Sequence, residues 1–245
     1  MTVLLAILLG VLLGLLSGGG SMIAVPVFRY GMDKEPEVAF PGALIVVGIA
    51  SLVGTILYAR EKRIRWAEGS LFAVLSMVGA FAGGFLSGLL PGGHMVIFAV
   101  ILVFTGWKLI TTRTRDLKPV EGEHIDQRRL VLTALGLGAL TGFLAIGGGF
   151  LVVSALVLLM RLEVKDAIAT SLLVITVNAF AGLFGHLSHH PLPWGELLGV
   201  AGLASIGVAF GVAMSRRLPT QRLRDALGWI VLIVAVWVLV GEAMQ

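Results

Sequence analysis

Long apolar segments constrain this chain more than any other feature of its sequence. An apolar helix of about 20 residues spans the ~30 Å hydrocarbon layer of a bilayer, and several such segments follow one another within the 245 residues. Charged residues make up only 13% of the chain, roughly half the fraction in a soluble domain, and the mean hydropathy is +1.00. We therefore predict an all-α integral membrane protein with several spans.

The composition also removes several function classes. The chain has no Cys, which excludes disulfides and thiolate chemistry. Its net charge of +4 does not predict nucleic-acid binding, because membrane proteins gather Lys and Arg in cytoplasmic loops. His186, His189 and His190 lie close in sequence, but no nearby Cys or Asp completes a ligand set. We predict no metal and no cofactor.

An internal repeat divides the chain into two related halves. Apolar helices match by chance at Leu, Ala and Gly, so the rarer residues carry the comparison. A shift of 128 positions superimposes Trp66 and Glu68 on Trp194 and Glu196, Leu90-Pro91 on Leu218-Pro219, and Gly19-Gly20 on Gly147-Gly148. We interpret residues 1–110 and 130–245 as two repeats within one transmembrane domain, joined by a cytoplasmic linker at 111–129.

The opening apolar segment of each half is interrupted by three consecutive glycines. These are Gly18 to Gly20 in the first half and Gly147 to Gly149 in the second. Each glycine disfavours a helix by about 1 kcal/mol relative to Ala. Both opening segments are therefore predicted to be broken helices.

The distribution of cations indicates how the broken segments lie in the membrane. If each opening segment crosses the bilayer, ten Lys and Arg fall inside and eight outside, against the positive-inside tendency. If each returns to its own side as a re-entrant hairpin, sixteen fall inside and only Arg29 and Lys34 outside. Three transmembrane helices plus one hairpin per half give two inverted-topology repeats. In this arrangement the protein lies in the cell membrane with both termini on its outer side.

The broken helices suggest an anion site. The helix after each break, starting near Ser21 and near Phe150, presents free backbone N–H groups and the positive end of its dipole. Inverted symmetry is expected to bring the two breaks together at mid-depth. No cation lies within the apolar segments, so these amides would hold the anion. The predicted binding residues are Ser17, Gly18, Gly19, Gly20, Ser21, Gly147, Gly148, Gly149 and Phe150.

Three further polar residues are candidates. Thr170 and Ser171 head the span after the second break, and Asn178 lies two turns further in. An amide at that depth serves either substrate contact or hydrogen bonding between helices. For the glycines outside the two triplets, close helix packing is the favoured interpretation: Gly79, Gly83, Gly207 and Gly211.

Several of these motifs resemble the TauE/SafE sulfite-exporter-like permeases. The resemblance rests on the segments Gly14-Leu15-Leu16-Ser17-Gly18-Gly19-Gly20-Ser21 with Val25-Pro26, Gly142-Phe143-Leu144-Ala145-Ile146-Gly147-Gly148-Gly149-Phe150-Leu151, and Ala167-Ile168-Ala169-Thr170-Ser171-Leu172. It implies a permease or exporter for sulfite, an organosulfonate or a related small anion. Ser154 stands where the second copy would normally have Pro, and Phe40-Pro41-Gly42 stands where Thr-Ser would be expected.

Two other function classes fit part of the sequence. An anion channel could be lined by the same hairpins. An intramembrane hydrolase could use Ser87, although the spacing around it departs from nucleophile motifs and no His is expected at its depth. The prediction remains a transporter and not an enzyme, with a small anion and the bilayer as partners. Proton coupling through Glu68 or Glu196, and a homodimer formed through Gly-rich faces, stay open.

Overall fold

The described structure is helical. It is a computed structural model, and it describes residues 2–16, 19–89, 127–145, 149–186, 192–215 and 229–239, together with 100, 103, 104, 107 and 111. No strand occurs among these residues. In the first half the helices are α1 (Thr2–Leu16), α2 (residues 19–31), α3 (Pro36–Arg60) and α4 (Trp66–Leu89).

The described helices of the second half follow. The helices are α5 (Gln127–Leu144), α6 (Gly149–Met160), α7 (Val164–His186), α8 (Trp194–Ser215) and α9 (Trp229–Leu239). Within the described chain, α3, α4, α7 and α8 are long and apolar enough to cross a bilayer. The prediction of a helical integral membrane protein is confirmed at this level.

Both opening segments are broken near the glycine triplets. The helix α1 ends at Leu16, and α2 begins at Gly19 with a tight 3-10 turn. The helix α5 ends at Leu144, and Ala145 has a φ of +50°, a left-handed conformation that costs a non-Gly residue about 1–2 kcal/mol. Neither segment is a continuous helix.

The two long helices α3 and α7 cross in antiparallel directions. A Cβ placed on Gly48 would lie 3.4 Å from Ala179 Cβ, and one on Gly54 would lie 3.0 Å from Leu172 Cδ1. These two helices are also the most buried, with 72% of the span inside the protein against 44% for α4 and α8. Their crossing is therefore the centre of the bundle.

Helices of one half pack in parallel against helices of the other. Gly42 lies next to Leu197, and the Tyr58 hydroxyl is 3.0 Å from Ser215 Oγ, so α3 and α8 run in the same direction. Gly69 lies next to Thr170, and Gly84 touches the backbone of Gly182, so α4 and α7 do the same.

Glycines bring α1 against α8 and α5 against α4 at backbone distance. Four glycines outside the triplets were predicted to pack helices: Gly79, Gly83, Gly207 and Gly211. A Cβ added to any of them would overlap the facing backbone, which confirms their packing role. The contacts follow the 128-residue shift. The Gly10–Ala204 and Gly14–Val208 contacts of α1 with α8 correspond to the Gly138–Ser76 and Gly142–Ala80 contacts of α5 with α4. In the same way, the Gly207–Ile7 and Gly211–Val11 contacts correspond to the Gly79–Leu135 and Gly83–Ala139 contacts.

These directions require a chain reversal between α1 and α3. Both helices run parallel to α8, so α2 must return. A Cβ on Gly31, at the end of α2, would lie 2.9 Å from Leu5 Cδ1 near the start of α1. Likewise, α5 and α7 both run parallel to α4, so α6 returns between them. Each half thus opens with a helical hairpin.

The hairpins reach further along the bundle than expected. Leu15, just before the first break, lies against Gly211 near the end of α8, and Phe143 lies against Gly83 in the second half of α4. Since α4 and α8 run in opposite directions, the breaks approach opposite ends of the bundle. The prediction that they meet near its middle is wrong, because the 15-residue α1 is already about 22 Å long.

Charges separate the two ends of the bundle. An Arg63–Asp166 ion pair of 3.7 Å joins the loops before α4 and α7 at one end, and a Lys34–Glu196 pair of 2.8 Å lies at the other. The first, called the basic end, carries eight of the ten described Lys and Arg: Arg60, Lys62, Arg63, Arg65, Arg128, Arg129, Arg161 and Lys165. Only Arg29 and Lys34 among the described cations lie at the opposite end.

Candidate functional site

The bundle interior contains polar side chains but no charged ones among the described residues. Polar groups within membrane spans are costly to bury, so they mark candidate functional positions. The buried polar residues are Ser21, Ser51, Thr55, Ser76, Ser87, Thr141, Thr170, Ser171, Thr176, Asn178 and His186. No Lys or Arg is buried within the described bundle, so an anion there would meet hydroxyl, amide and imidazole groups.

Asn178 forms a hydrogen bond between helices. Ser76 Oγ on α4 donates to Asn178 Oδ1 on α7 over 2.8 Å. Asn178 is 2% exposed, and its Nδ2 has no hydrogen-bond partner in the described structure. The amide oxygen therefore joins two helices, and the amide nitrogen remains an available donor. The sequence analysis had left both roles open for this residue.

Ser51 lies close to Asn178 along the α3–α7 crossing. It is 0% exposed, and its Oγ has no hydrogen-bond partner in the part of the chain that is described. The contacts of Gly48 and Gly54 place Ser51 opposite residues 175–176 of α7, within about one helical turn of Asn178. The central donors are thus an amide N–H and a hydroxyl.

Ser51 and Ser76 were not among the binding residues predicted from the sequence. A serine in an apolar helix commonly bonds to its own backbone, so a single serine gives little local signal. The available signal was the repeat: Ser51 and Ser76 align with Ala179 and Ala204, so both are polar in one copy only.

Those predicted binding residues of the two hairpins that the structure describes lie at opposite ends of the bundle. Ser17, Gly18, Gly147 and Gly148 fall outside the described residues. Gly19 and Gly20 open α2, and Ser21 is fully buried in its first turn. Gly149 begins α6, and Phe150 follows it, with a side chain that is not among the described ones. The α2 start belongs to the basic end and the α6 start to the opposite end.

Thr170 and Ser171 have structural partners at the basic end. Thr170 Oγ1 accepts a 3.0 Å hydrogen bond from the Arg65 backbone N–H, which ties the loop before α4 to α7. Ser171 Oγ donates to the Ile168 carbonyl over 2.9 Å. Asn178 follows Thr170 by eight residues, about 12 Å along the helix. The predicted residues that the structure describes therefore do not lie together in one site.

The two repeated glutamates form surface ion pairs. Glu68 Oε1 is 3.0 Å from Arg65 Nη2, and Glu196 Oε2 is 2.8 Å from Lys34 Nζ. Both carboxylates lie in the first turn of a helix, at opposite ends of the bundle. Their positions fit helix-end stabilisation.

Ser87 has a histidine at its level, which the sequence analysis did not expect. Gly185 packs against Phe85, so the last turn of α7, including His186, lies beside the last turns of α4. His186 Nδ1 is 2.9 Å from the Gly182 carbonyl. Ser87 lies inside the regular helix α4, not on a strand-to-helix turn. No group of residues able to hold a metal occurs in the described structure.

Comparisons with known proteins agree along nearly the whole chain. A family model described as "Sulfite exporter TauE/SafE" matches residues 2–238. A probable membrane transporter protein of Xylella fastidiosa is 28% identical over 91% of this chain and 88% of its own length. The probable membrane transporter protein YunE of Bacillus subtilis is 24% identical over 83% of each chain. No solved structure matches.

Proposed function

Because the chain belongs to the TauE/SafE sulfite exporter family, we propose that it is a permease that carries sulfite or an organosulfonate across the cell membrane. Its similarity to probable membrane transporters covers most of both chains. Transport is not an enzyme class, and the chain is a membrane protein with several apolar helices. The substrate, the site and the mechanism are the content of the proposal.

The proposed architecture is a pair of inverted repeats with re-entrant hairpins. Its support is the antiparallel crossing of the equivalent helices α3 and α7, together with contacts that obey the 128-residue shift. The basic end is the cytoplasmic end, following the positive-inside tendency. The ring of Trp237 in α9 packs at a tilt against the Tyr30 ring, with 4.9 Å between their centroids, so Thr2 and Leu239 both lie on the outer side in this arrangement.

One observation carries the transport proposal: both opening helices are interrupted at glycine within a bundle whose described interior holds no cation. Interrupted helices leave backbone N–H groups without partners inside the helix, so protein, water or a ligand must satisfy them. The helix starts at Gly19 and Gly149 can attract an anion without a buried Lys or Arg. Their opposite positions give one attracting helix start near each face, and alternating access connects them.

Flux measurements in proteoliposomes test this proposal. We expect saturable uptake of sulfite or methanesulfonate that an opposing gradient of the same anion accelerates, as a carrier requires. A Gly149→Leu variant should lose about tenfold or more of the initial rate, since the side chain would cover the start of α6. Gly199→Leu is the matched control, because Gly199 lies in α8 with nothing within 4 Å of its Cβ position.

The alternatives give different results in the same assay. Flux that rises linearly with concentration and shows no exchange would indicate an anion channel. Equal rates for the Gly149→Leu and Gly199→Leu variants would remove the α6 start from the site. A hydrolytic activity abolished by Ser87→Ala would replace transport with catalysis.

A further inference from the structure

The crossing of α3 and α7 lies on the symmetry centre of the bundle. Under the 128-residue shift, the contact between residues 48 and 179 corresponds to a contact between residues 51 and 176. The centre of the crossing therefore falls near Ala50 and Asn178. A substrate that passes between two inverted repeats has the same surroundings from either side at this point.

Three polar side chains near the centre align with alanine at the equivalent position of the other half. Asn178 aligns with Ala50, Ser51 with Ala179, and Ser76 with Ala204. All six residues lie in long helices that pack in equivalent ways. In each aligned pair, one residue is polar and the other is alanine. Close packing does not explain the polar side chains, because a methyl group is enough at the equivalent position.

Two of these side chains leave a donor without a partner. Asn178 Nδ2 and Ser51 Oγ have no hydrogen-bond partner in the described structure, and both residues are at least 98% buried. A buried donor without a partner lowers stability, so buried donors in folded proteins are normally paired. The single hydroxyl proton of Ser76 is shared between Asn178 Oδ1 at 2.8 Å and the Ala73 carbonyl at 3.2 Å, and the shorter contact holds the amide oxygen toward α4. The amide nitrogen of Asn178 is therefore the end of the side chain that has no partner in the described structure.

We propose that Asn178 Nδ2 and Ser51 Oγ bind the transported anion midway through the protein, with Ser76 as a positioning residue, and that this site selects oxyanions of single charge. The proposal rests on the proposed transport function and extends it to the charge of the substrate. Hydrogen sulfite and sulfonates without a second ionised group belong to this class, whereas sulfate and the sulfite dianion do not.

The selection for charge follows from the surroundings of the two donors. No Lys or Arg is among the residues described as buried, and the buried His186 lies at the last turn of α7 away from the crossing, so only neutral groups near the crossing offset the anion. The cost of moving an ion out of water grows with the square of its charge, so a dianion costs about four times as much as a monoanion. Two neutral donors can compensate the smaller cost only.

Competition experiments on wild-type proteoliposomes test the charge selection. Uptake of labelled methanesulfonate is measured with unlabelled methanesulfonate or sulfate as competitor at one pH. We expect sulfate to compete about tenfold or more less effectively. Sulfate competing as well as methanesulfonate would overturn the selection for single charge.

Variants test the two donors. Ser51→Ala and Asn178→Ala should each weaken the apparent affinity for methanesulfonate by about tenfold or more, the loss expected for a hydrogen bond to a charged group. Ser205→Ala is the control, because Ser205 lies at the depth of Ser51 and already donates to the Ala201 carbonyl over 2.8 Å. Its affinity should stay within about twofold of wild type.

The role of Ser76 needs a readout that loss of packing would not change. Ser76→Ala should reduce the preference for methanesulfonate over sulfate, and Ser76→Thr, which keeps the hydroxyl, should restore it. Ser51→Ala removes one atom only, so it keeps the test valid if Asn178→Ala fails to fold.

The outcomes separate this inference from the proposed function. If the wild-type protein moves methanesulfonate or sulfite, but Ser51→Ala and Asn178→Ala match Ser205→Ala, the central site is wrong and transport stands. If the wild-type protein moves neither anion, both proposals fail.

Discussion

At the scale of single residues, glycines on the same helix have different surroundings. On α5, a Cβ on Gly142 would overlap the backbone of Ala80, whereas one on Gly136 meets nothing within 4 Å. Gly142 therefore sets the distance between α5 and α4, and Gly136 does not. The sequence alone does not distinguish them, because both are glycines within one apolar segment.

This difference predicts opposite effects of the same substitution. Gly142→Ala should destabilise the protein by roughly 1–3 kcal/mol, because α4 and α5 must separate to admit the methyl group. Gly136→Ala should be neutral or stabilise by up to about 1 kcal/mol, from helix propensity. Thermal unfolding of the purified variants in detergent measures both. Equal shifts in Tm would contradict the packing role of Gly142.

Thr170 shows why a residue type does not fix a role. Its hydroxyl was predicted to contact the anion, yet Oγ1 accepts the backbone N–H of Arg65, 105 residues earlier in the chain. Nothing near Thr170 in the sequence indicates that partner. The substrate role of Thr170 and Ser171 stays a prediction, while the tether to the loop before α4 is an observed contact.

At the scale of helices, the sequence predicts where each helix begins and ends better than how far along the bundle each break lies. Apolar length located α3, α4, α7 and α8, and the glycine triplets located the breaks. The depth of each break depends on the register between α1 and α8. That register is set by interlocking glycines almost 200 residues apart, such as Gly14 and Gly211. Local periodicity carries no information about which helix will be the partner.

The first hairpin gives a prediction that a continuous helix cannot satisfy. Cysteines at Leu5 and Gly31 should be joined readily by a short thiol crosslinker, since the two positions are in contact. In one continuous helix they would be about 39 Å apart. The chain has no Cys of its own, so any crosslink identified by mass spectrometry is unambiguous.

A second cysteine pair controls this experiment. Leu5 with Glu61 joins positions near opposite ends of the bundle and should give no product with the same reagent. A crosslink in the control but not between Leu5 and Gly31 would show that α2 continues in the direction of α1.

At the scale of the whole molecule, the closest packing joins helices from different halves. The backbones of α1 and α8 touch, as do those of α4 and α5, whereas α3 and α7 meet through side chains such as Leu172 and Phe180. Each hairpin is therefore coupled to a long helix of the other half. Relative movement during transport is expected at the α3–α7 crossing, where the central donors lie.

The charge asymmetry of the bundle predicts its orientation. Asp33 and Glu163 are exposed acidic residues in loops at opposite ends, so replacing either with Cys removes no cation. Because positive charge favours the cytoplasmic side, Asp33→Cys should react with an impermeant maleimide in intact cells, and Glu163→Cys only in inverted vesicles. The reverse pattern would place the basic end outside. Labelling of both from one side would contradict the separation of the two ends, and with it the hairpin arrangement from which the separation follows.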